Sequence, residues 1–477
     1  MDYPRFRQRR HQSLPAGGSN FCGTNRRRTA GGVIYPGGDC LRRRRQSRRR
    51  PPSLPGRRKP IAVKPHQVPK QPIIPKTNEI VPCVPSESYG RLFFRFLRFG
   101  LLAWGGPVAQ IALIRQELVE EERWISRERF NRVLAVYQIL PGPEASELCV
   151  YFGMLSRGRF GGLLAGLGFV LPGFILMLLL SWFYLRYGIT SPIFSAAFLG
   201  MQAAVGALIV RAVHRIGSHV LLNRWLWGIA ISALVAHFAG IHFLIILAIA
   251  GVVYLLVAEG KAGWAATLLG VSFIASLALL YSQFSAGRSA LAAADVASPG
   301  VPSILSLFSL GLRSGLLTFG GAYTVIPYLR NEAVVTIGWM TDSQFLDGMA
   351  LAGILPAPLV ILGTFVGYLG GGLYGGIALT VGIYLPAFAF TLIGHEMLEK
   401  FVENKVLHSI LDGVTAGVVG LIAATALVLL RDAITGWLAA LIFVGGLILL
   451  FRWNSKASVP VLVLGAALVG LLVYFLV

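Results

Sequence analysis

Four glycine- and proline-rich breaks are where this sequence could do chemistry. Gly105-Gly106-Pro107 interrupts one apolar run and Pro141-Gly142-Pro143 interrupts the next. Similar runs 215 residues later are cut by Gly320-Gly321 and Pro356-Ala357-Pro358. Proline removes a backbone donor and breaks the helical ladder. A helix broken in mid-run exposes free N–H groups where its second half starts, and with the helix dipole these favour an anion. Glycine lets such a ligand approach the backbone, and proline holds the break open. The chemistry on offer is reversible anion binding. One such break alone reads as a kink, common in membrane helices; two breaks repeated at one offset read better as a site.

Charged side chains flank the breaks in matching pairs. Arg98 and Arg313 lie within the apolar runs, where a charge is costly, and are candidate ligands for the anion. Arg115-x-Glu117 and Arg330-x-Glu332 lie just beyond the first break of each copy. Their arginines are permanently charged forks that could attract an oxyanion as it enters. They read equally as interfacial Arg–Glu pairs that cap the segment. Glu144 and Glu147 follow the first Pro-Gly-Pro directly, as helix-capping residues, and Glu144 could also take a coupling proton. The second copy has Leu359 and Leu362 there, so an acidic role belongs to the first copy only.

Other motifs fail. His395-Glu396-Met397-Leu398-Glu399 opens like a zinc-protease helix but has Glu where the second His is needed. The four cysteines, Cys22, Cys40, Cys83 and Cys149, form neither a disulfide framework nor a metal set. No phosphate loop or nucleophile elbow is present, and no enzyme activity, cofactor or metal is expected.

The breaks are positioned by an internal duplication. LFFRFLRFGLLAWGGPVAQIALIRQEL, from Leu92, is answered by LFSLGLRSGLLTFGGAYTVIPYLRNEA. At the single offset Arg98 falls on Arg313, Arg115 on Arg330, Glu117 on Glu332, Trp124 on Trp339 and Phe130 on Phe345. Apolar similarity alone would not align arginines, a tryptophan and paired prolines, so the site is expected where the two copies meet.

The chain of 477 residues is 55% hydrophobic and 13% charged, and its mean hydropathy is +0.67. Apolar runs near the ~20 residues needed to cross a bilayer recur from about position 90 onward. Such a chain must satisfy its own backbone, which predicts an all-α polytopic membrane protein. Spans are expected at Leu163–Leu185, Phe194–Val213, Trp225–Ala239, Phe243–Val257 and Trp264–Tyr281, then at Ile377–Gly394, Ile410–Leu430, Ala433–Phe451 and Val459–Val477. The broken segments hold two half-helices each, and at 1.5 Å per residue these reach only the midplane. They are expected to be re-entrant hairpins or broken helices.

The net charge of +22 comes mostly from residues 1–80, an Arg-, Pro- and Gly-rich arm expected to be disordered. It reads as a positive-inside anchor or an upstream extension from a misassigned start; nucleic-acid or anionic-lipid binding is the sharper alternative. No nucleic-acid partner is expected for the rest. The domains are then the arm, a first repeat over 88–282, a linker over 283–302 and a second repeat over 303–477. If the hairpins return to their own side, the basic loops Arg115–Arg132, Arg157/Arg159, Arg211–Arg224 and Lys261 lie with the arm in the cytoplasm. Five full spans then separate equivalent points, so the repeats are inverted. The protein is expected in the cytoplasmic membrane, with homo-oligomerisation left open.

FGLLAWGGPVAQI, Trp124-x-Ser126-x-x-x-Phe130, QILPGPEASE and GFVLPG resemble the first half of the chromate transporters. LLTFGGAYTVIPYLR, ILPAP, TFVGYLGGGLYGG and IYLPAF resemble the second half, so the likeness runs from Leu92 to the C-terminus in the long, two-domain form. The resemblance implies export of chromate, a tetrahedral dianion much like sulfate, driven by the membrane potential or ion gradients, giving chromate resistance. A passive anion channel, or a carrier of another oxyanion such as sulfate, is the alternative. Two departures touch the expected site: Gln110 stands where the family often has His, and Ala357 stands where Pro-Gly-Pro is usual.

Overall fold

The computed structural model describes residues 84–188, 191–285, 300–318, 323–402, 405–453, 455 and 457–476. The basic arm, most of the linker and Gly320-Gly321 lie outside them. Among the described residues the chain is helical, with no strand.

Each repeat opens with two hairpins. In the first, α1 (Tyr89–Leu101) runs to the Gly-Gly break and α2 (Gly106–Ile114) returns, prolonged by a π-helical stretch Arg115–Glu121. Next α3 (Arg127–Ile139) runs to Pro-Gly-Pro and α4 (Glu144–Phe183) leaves it. Non-helical backbone at Arg157 and Gly158 divides α4 into a returning half and a crossing half. Then come α5 (Pro192–Val220), α6 (Arg224–Phe238), α7 (Phe243–Ala258) and α8 (Ala262–Ser285).

The second repeat repeats the plan. Its hairpins are α9 (Ile304–Leu316) with α10 (Val325–Arg330), and α11 (Asp342–Gly353) with the first half of α12 (Leu362–Val402), which is divided at Gly371 and Gly372. α13 (Lys405–Ala433), α14 (Trp437–Arg452) and α15 (Ser458–Leu476) complete it. The four hairpin-opening helices start on equivalent caps. The hydroxyls of Ser88, Ser126, Ser303 and Thr341 accept from the backbone N–H of Arg91, Arg129, Ser306 and Gln344. A cap of this kind is worth ~1 kcal/mol and sets where each helix begins.

Packing between the repeats is reciprocal. α5 lies on α14 and α15, their counterparts α6 and α7 lie on α13, and α4 faces α12. Element-for-element exchange of this sort is the mark of a two-fold relation. Six helices are long and apolar enough to cross a membrane, and α6, α7 and α14 are shorter. Since the hairpins return, the helices from the crossing half of α4 to α8 separate equivalent points. Their number is odd whether α6 and α7 cross fully or turn back together, as an inverted pair of repeats requires.

One expected boundary moves. α5 continues unbroken to Val220, so Arg211 and Arg215 belong to the helix and not to a loop. The hydropathy of the run falls at its first charge, but nothing there breaks the helix.

Candidate functional site

The first break is built from two left-handed glycines. Gly105 has φ +91° and Gly106 φ +78°, conformations that side-chain-bearing residues rarely adopt. With Pro107 in its first turn, α2 therefore starts abruptly, its N-terminus pointing inward. Gln110, buried one turn on, donates its amide N–H to the Ala103 carbonyl at 3.0 Å and ties the two sides of the break together. A Cβ on Gly106 would lie 3.8 Å from the Tyr323 hydroxyl, at the edge of the second Gly-Gly break. The two repeats meet here.

At this meeting point is a cavity of about 100 Å³, well above the ~10–15 Å³ that one water requires. Gly105, Gly106 and Tyr323 form one side of it, and Ala357 with its neighbours Leu355 and Leu359 another. Ser455 and Ser458, at the start of α15, form a third. The remaining wall is α5, through Leu208, Arg211, Ala212 and Arg215. Arg211 and Arg215 are four residues apart and so share one helix face. The wall contains two guanidinium groups and no carboxylate. Like charges at this spacing repel, and an oxyanion between them turns repulsion into charge-assisted hydrogen bonds.

The second repeat has no such pair. α13, the long helix that packs on α6 and α7 as α5 packs on α14 and α15, carries no Lys or Arg between Lys405 and Arg431. Leu421 and Val428 line a larger cavity, about 390 Å³, with Leu317 and Thr324 from the flanks of the second break and the α6–α7 turn from His237 to Phe243. α6 starts next to the C-terminal end of α5 and ends at this turn. Leu317 and Thr324 line the larger cavity and Tyr323 the smaller; the smaller has Arg211 and Arg215 in its wall, the larger Arg330, His237 and His242.

The Pro-Gly-Pro break is placed differently from the Gly-Gly break. The Gly142 amide donates to the Thr318 carbonyl at 2.8 Å, so this donor is used within the protein. Pro141, Gly142 and Pro143 are buried and are not part of the cavity wall. Gly142, at φ +154°, would bring a Cβ within 2.6 Å of the Ala387 Cβ. At the Pro-Ala-Pro break of the second repeat, a Cβ on Gly173 of the first repeat would come within 2.4 Å of the Ala357 Cβ. Each Pro-x-Pro break thus packs on the Leu-Pro-x stretch inside a long helix of the opposite repeat as one Gly and one Ala, in reversed roles. The alanine of Pro356-Ala357-Pro358 is matched by a glycine across the interface.

The flanking charges take protein partners. Arg98, more than half exposed, donates to Glu117 at 2.7 Å across the hairpin, and Arg95 joins Glu87 and Glu122. Arg115 pairs with Glu120 at 3.2 Å instead of Glu117. Glu120 also pairs with Arg127, whose hydrogen bond holds its carboxyl below the usual range. Buried Arg330 makes a two-pronged contact with Asp342, at 2.6 and 2.8 Å, beside the larger cavity. Arg313 and Glu332 line a separate pocket of about 160 Å³. Glu144 is half-buried at the start of α4. Of the residues singled out in the sequence, the basic cavity gathers Gly105, Gly106 and Ala357. Arg98, Arg115 and Arg330 lie elsewhere, and Gly320-Gly321 lie outside the described residues. Arg211 and Arg215 were missed, although their four-residue spacing in an apolar run was visible.

The chromate transporter family matches residues 90–255 and 305–471, one stretch in each repeat. A chromate transport protein of Pseudomonas aeruginosa is 55% identical over 406 residues, covering 83% of this chain and 95% of the relative. A chromate transport protein of Cupriavidus metallidurans is 31% identical over 82% of this chain and 94% of its own. A probable chromate transport protein of Synechococcus elongatus is 30% identical over 81% and 96%. No solved structure matches.

Proposed function

The chain belongs to the chromate transporter family, and from that premise we propose that it is a secondary transporter exporting chromate across the cytoplasmic membrane, which would confer chromate resistance. The observation that carries this reading is the 100 Å³ cavity where the two repeats meet, walled by Arg211, Arg215 and the start of α2 and free of carboxylates. Chromate binds there through its oxygens, to the guanidinium forks and to backbone N–H groups at Gly105 and Gly106.

Orientation follows from loop charge. Arg157, Arg159, Arg224 and Lys261 fall on the face reached by the C-terminal end of α5, and positive loops stay in the cytoplasm. The basic cavity then faces the cytoplasm, where it collects the dianion, and the 390 Å³ cavity faces outward. Movement of one repeat against the other at their meeting point exchanges access from one to the other. A potential negative inside favours outward movement by ~2.3 kcal/mol per charge per 100 mV, and by about twice that for a dianion. Exposed apolar side chains on α8 and α15, such as Trp264, Phe284, Leu468 and Leu472, contact lipid in this arrangement.

Uptake of radiolabelled chromate into inverted membrane vesicles, with sulfate as competitor, tests the proposal. Accumulation above the level set by the membrane potential supports a coupled carrier; uptake that stops at that level supports a passive channel on the same scaffold. Both donor types contact only oxygens, so a sulfate competitor as strong as unlabelled chromate would make this a general oxyanion carrier.

A further inference from the structure

The molecule also holds a fully buried acid that anion binding does not use. Glu147, in the first turn of α4, is 0% exposed, and neither carboxyl oxygen has a hydrogen-bond partner among the described residues. It lies against Gly142, where a Cβ would come within 2.9 Å of its Oε1. From α3 it is faced by buried Tyr137, whose ring packs on Tyr151 of α4. The charge acting on it is the like charge of Glu144, on its own helix.

Among the described residues no cation compensates it. α2 and residues 362–394 of α12 contain no Lys, Arg, His, Asp or Glu, and buried Tyr384 is the ionisable group of α12 nearest Ala387 in sequence. On α3, Arg127, Arg129 and Arg132 are exposed. On α11, Asp347 is held by Gln202 and Tyr184; on α1, Arg95 and Arg98 are held by Glu87, Glu117 and Glu122. An ionised carboxylate buried without a donor is costly, so this pocket accommodates the neutral acid.

Its wall is also mechanically connected. Gly142 closes the pocket on one side and donates to Thr318, of the opposite repeat, on the other. Loss of that hydrogen bond frees the Gly142 wall of the Glu147 pocket.

We propose that Glu147 is the proton-coupling acid of the transport cycle: protonated in the conformation described here, it exchanges its proton with water when the Gly142–Thr318 contact opens, linking net anion movement to proton movement. The step breaks the carboxyl O–H bond, passes the proton to water and leaves the carboxylate; reprotonation from water on the other side of the membrane restores the acid. The inference rests on the transport reading above.

The test uses the full chain in proteoliposomes, with voltage clamped at zero by valinomycin and potassium. Two fluxes are measured: exchange of labelled for unlabelled chromate, and net chromate movement driven by a pH gradient. The wild type is expected to show both, the net flux reversing with the gradient. Glu147→Gln, neutral and nearly isosteric, should keep exchange within about twofold and lose at least tenfold of the gradient-driven flux. Glu147→Asp should retain some of it. Wild-type exchange without gradient-driven flux overturns the coupling role, whether or not the variants fold, and so does Glu147→Gln with wild-type gradient-driven flux. Absence of wild-type exchange overturns the transport reading instead.

Discussion

The amide of Gly142, in the second break of one repeat, donates to the carbonyl of Thr318, at the first break of the other, across 2.8 Å. This bond couples the two kinds of break and removes the Pro-Gly-Pro amide from the set of anion donors. It also changes what a bulky residue at Gly142 would report. Gly142→Val places carbons against Ala387 and Glu147 in a backbone at φ +154°. Such overpacking costs ~1–3 kcal/mol before strain is added. The expected outcome is a smaller amount of folded protein in the membrane, read by fluorescence-detected gel filtration. Normal folding with weakened chromate binding would return Gly142 to the binding site.

The Gly/Ala interlock makes a cleaner test at its second contact, Gly173 on Ala357. Gly173→Ala should lower transport and stability, because its methyl group meets that of Ala357. Adding Ala357→Gly should restore both, since the double variant has the Ala-on-Gly arrangement of the Gly142–Ala387 contact. A double-mutant cycle on the melting transition should give a coupling energy of ~0.5–3 kcal/mol. Strict additivity would mean that the two residues do not sense each other.

Arg211→Gln and Arg215→Gln should each weaken chromate binding, by roughly ten- to a hundredfold, the loss of one hydrogen bond to a charged group at ~1.5–3 kcal/mol. Arg98→Gln should leave affinity nearly unchanged, because its guanidinium is exposed and bound to Glu117. Equilibrium binding to purified protein, at fixed low salt, separates the two groups. Equal effects at Arg98 and Arg211 would move the site away from α5.

Inversion predicts a labelling pattern. Arg159 and Leu373 are exposed residues just past the equivalent kinks at Gly158 and Gly372. In a background without native cysteines, Arg159→Cys should react with an impermeant maleimide from one side only and Leu373→Cys from the other. Reaction of both from the same side would show a parallel duplication.

Removing residues 1–80 should leave chromate transport intact. The family match starts at residue 90, and the arm's composition gives it little to bury. A chain starting near Val81 that inserts normally but no longer protects cells from chromate would give the arm a role in transport.

The sequence by itself determined the helical membrane class, the duplication and the positions of all four breaks. Hydropathy, proline and glycine act locally, and a repeat offset needs no coordinates to be seen. The caps at Ser88, Ser126, Ser303 and Thr341 are local in the same way, each hydroxyl accepting from its own next turn. Only the tertiary structure decided which break residues line a cavity. Gly106 and Gly142 look alike along the chain, yet one opens on a cavity beside Tyr323 and the other is sealed by Thr318, Ala387 and Glu147. The same holds for charge. Arg98 and Arg211 both interrupt apolar runs, and their roles differ because Glu117 returns beside the first across a hairpin while α5 delivers the second to the meeting point of the repeats. A side chain's partner is set by elements far away in sequence, and in this fold most of those elements belong to the other repeat.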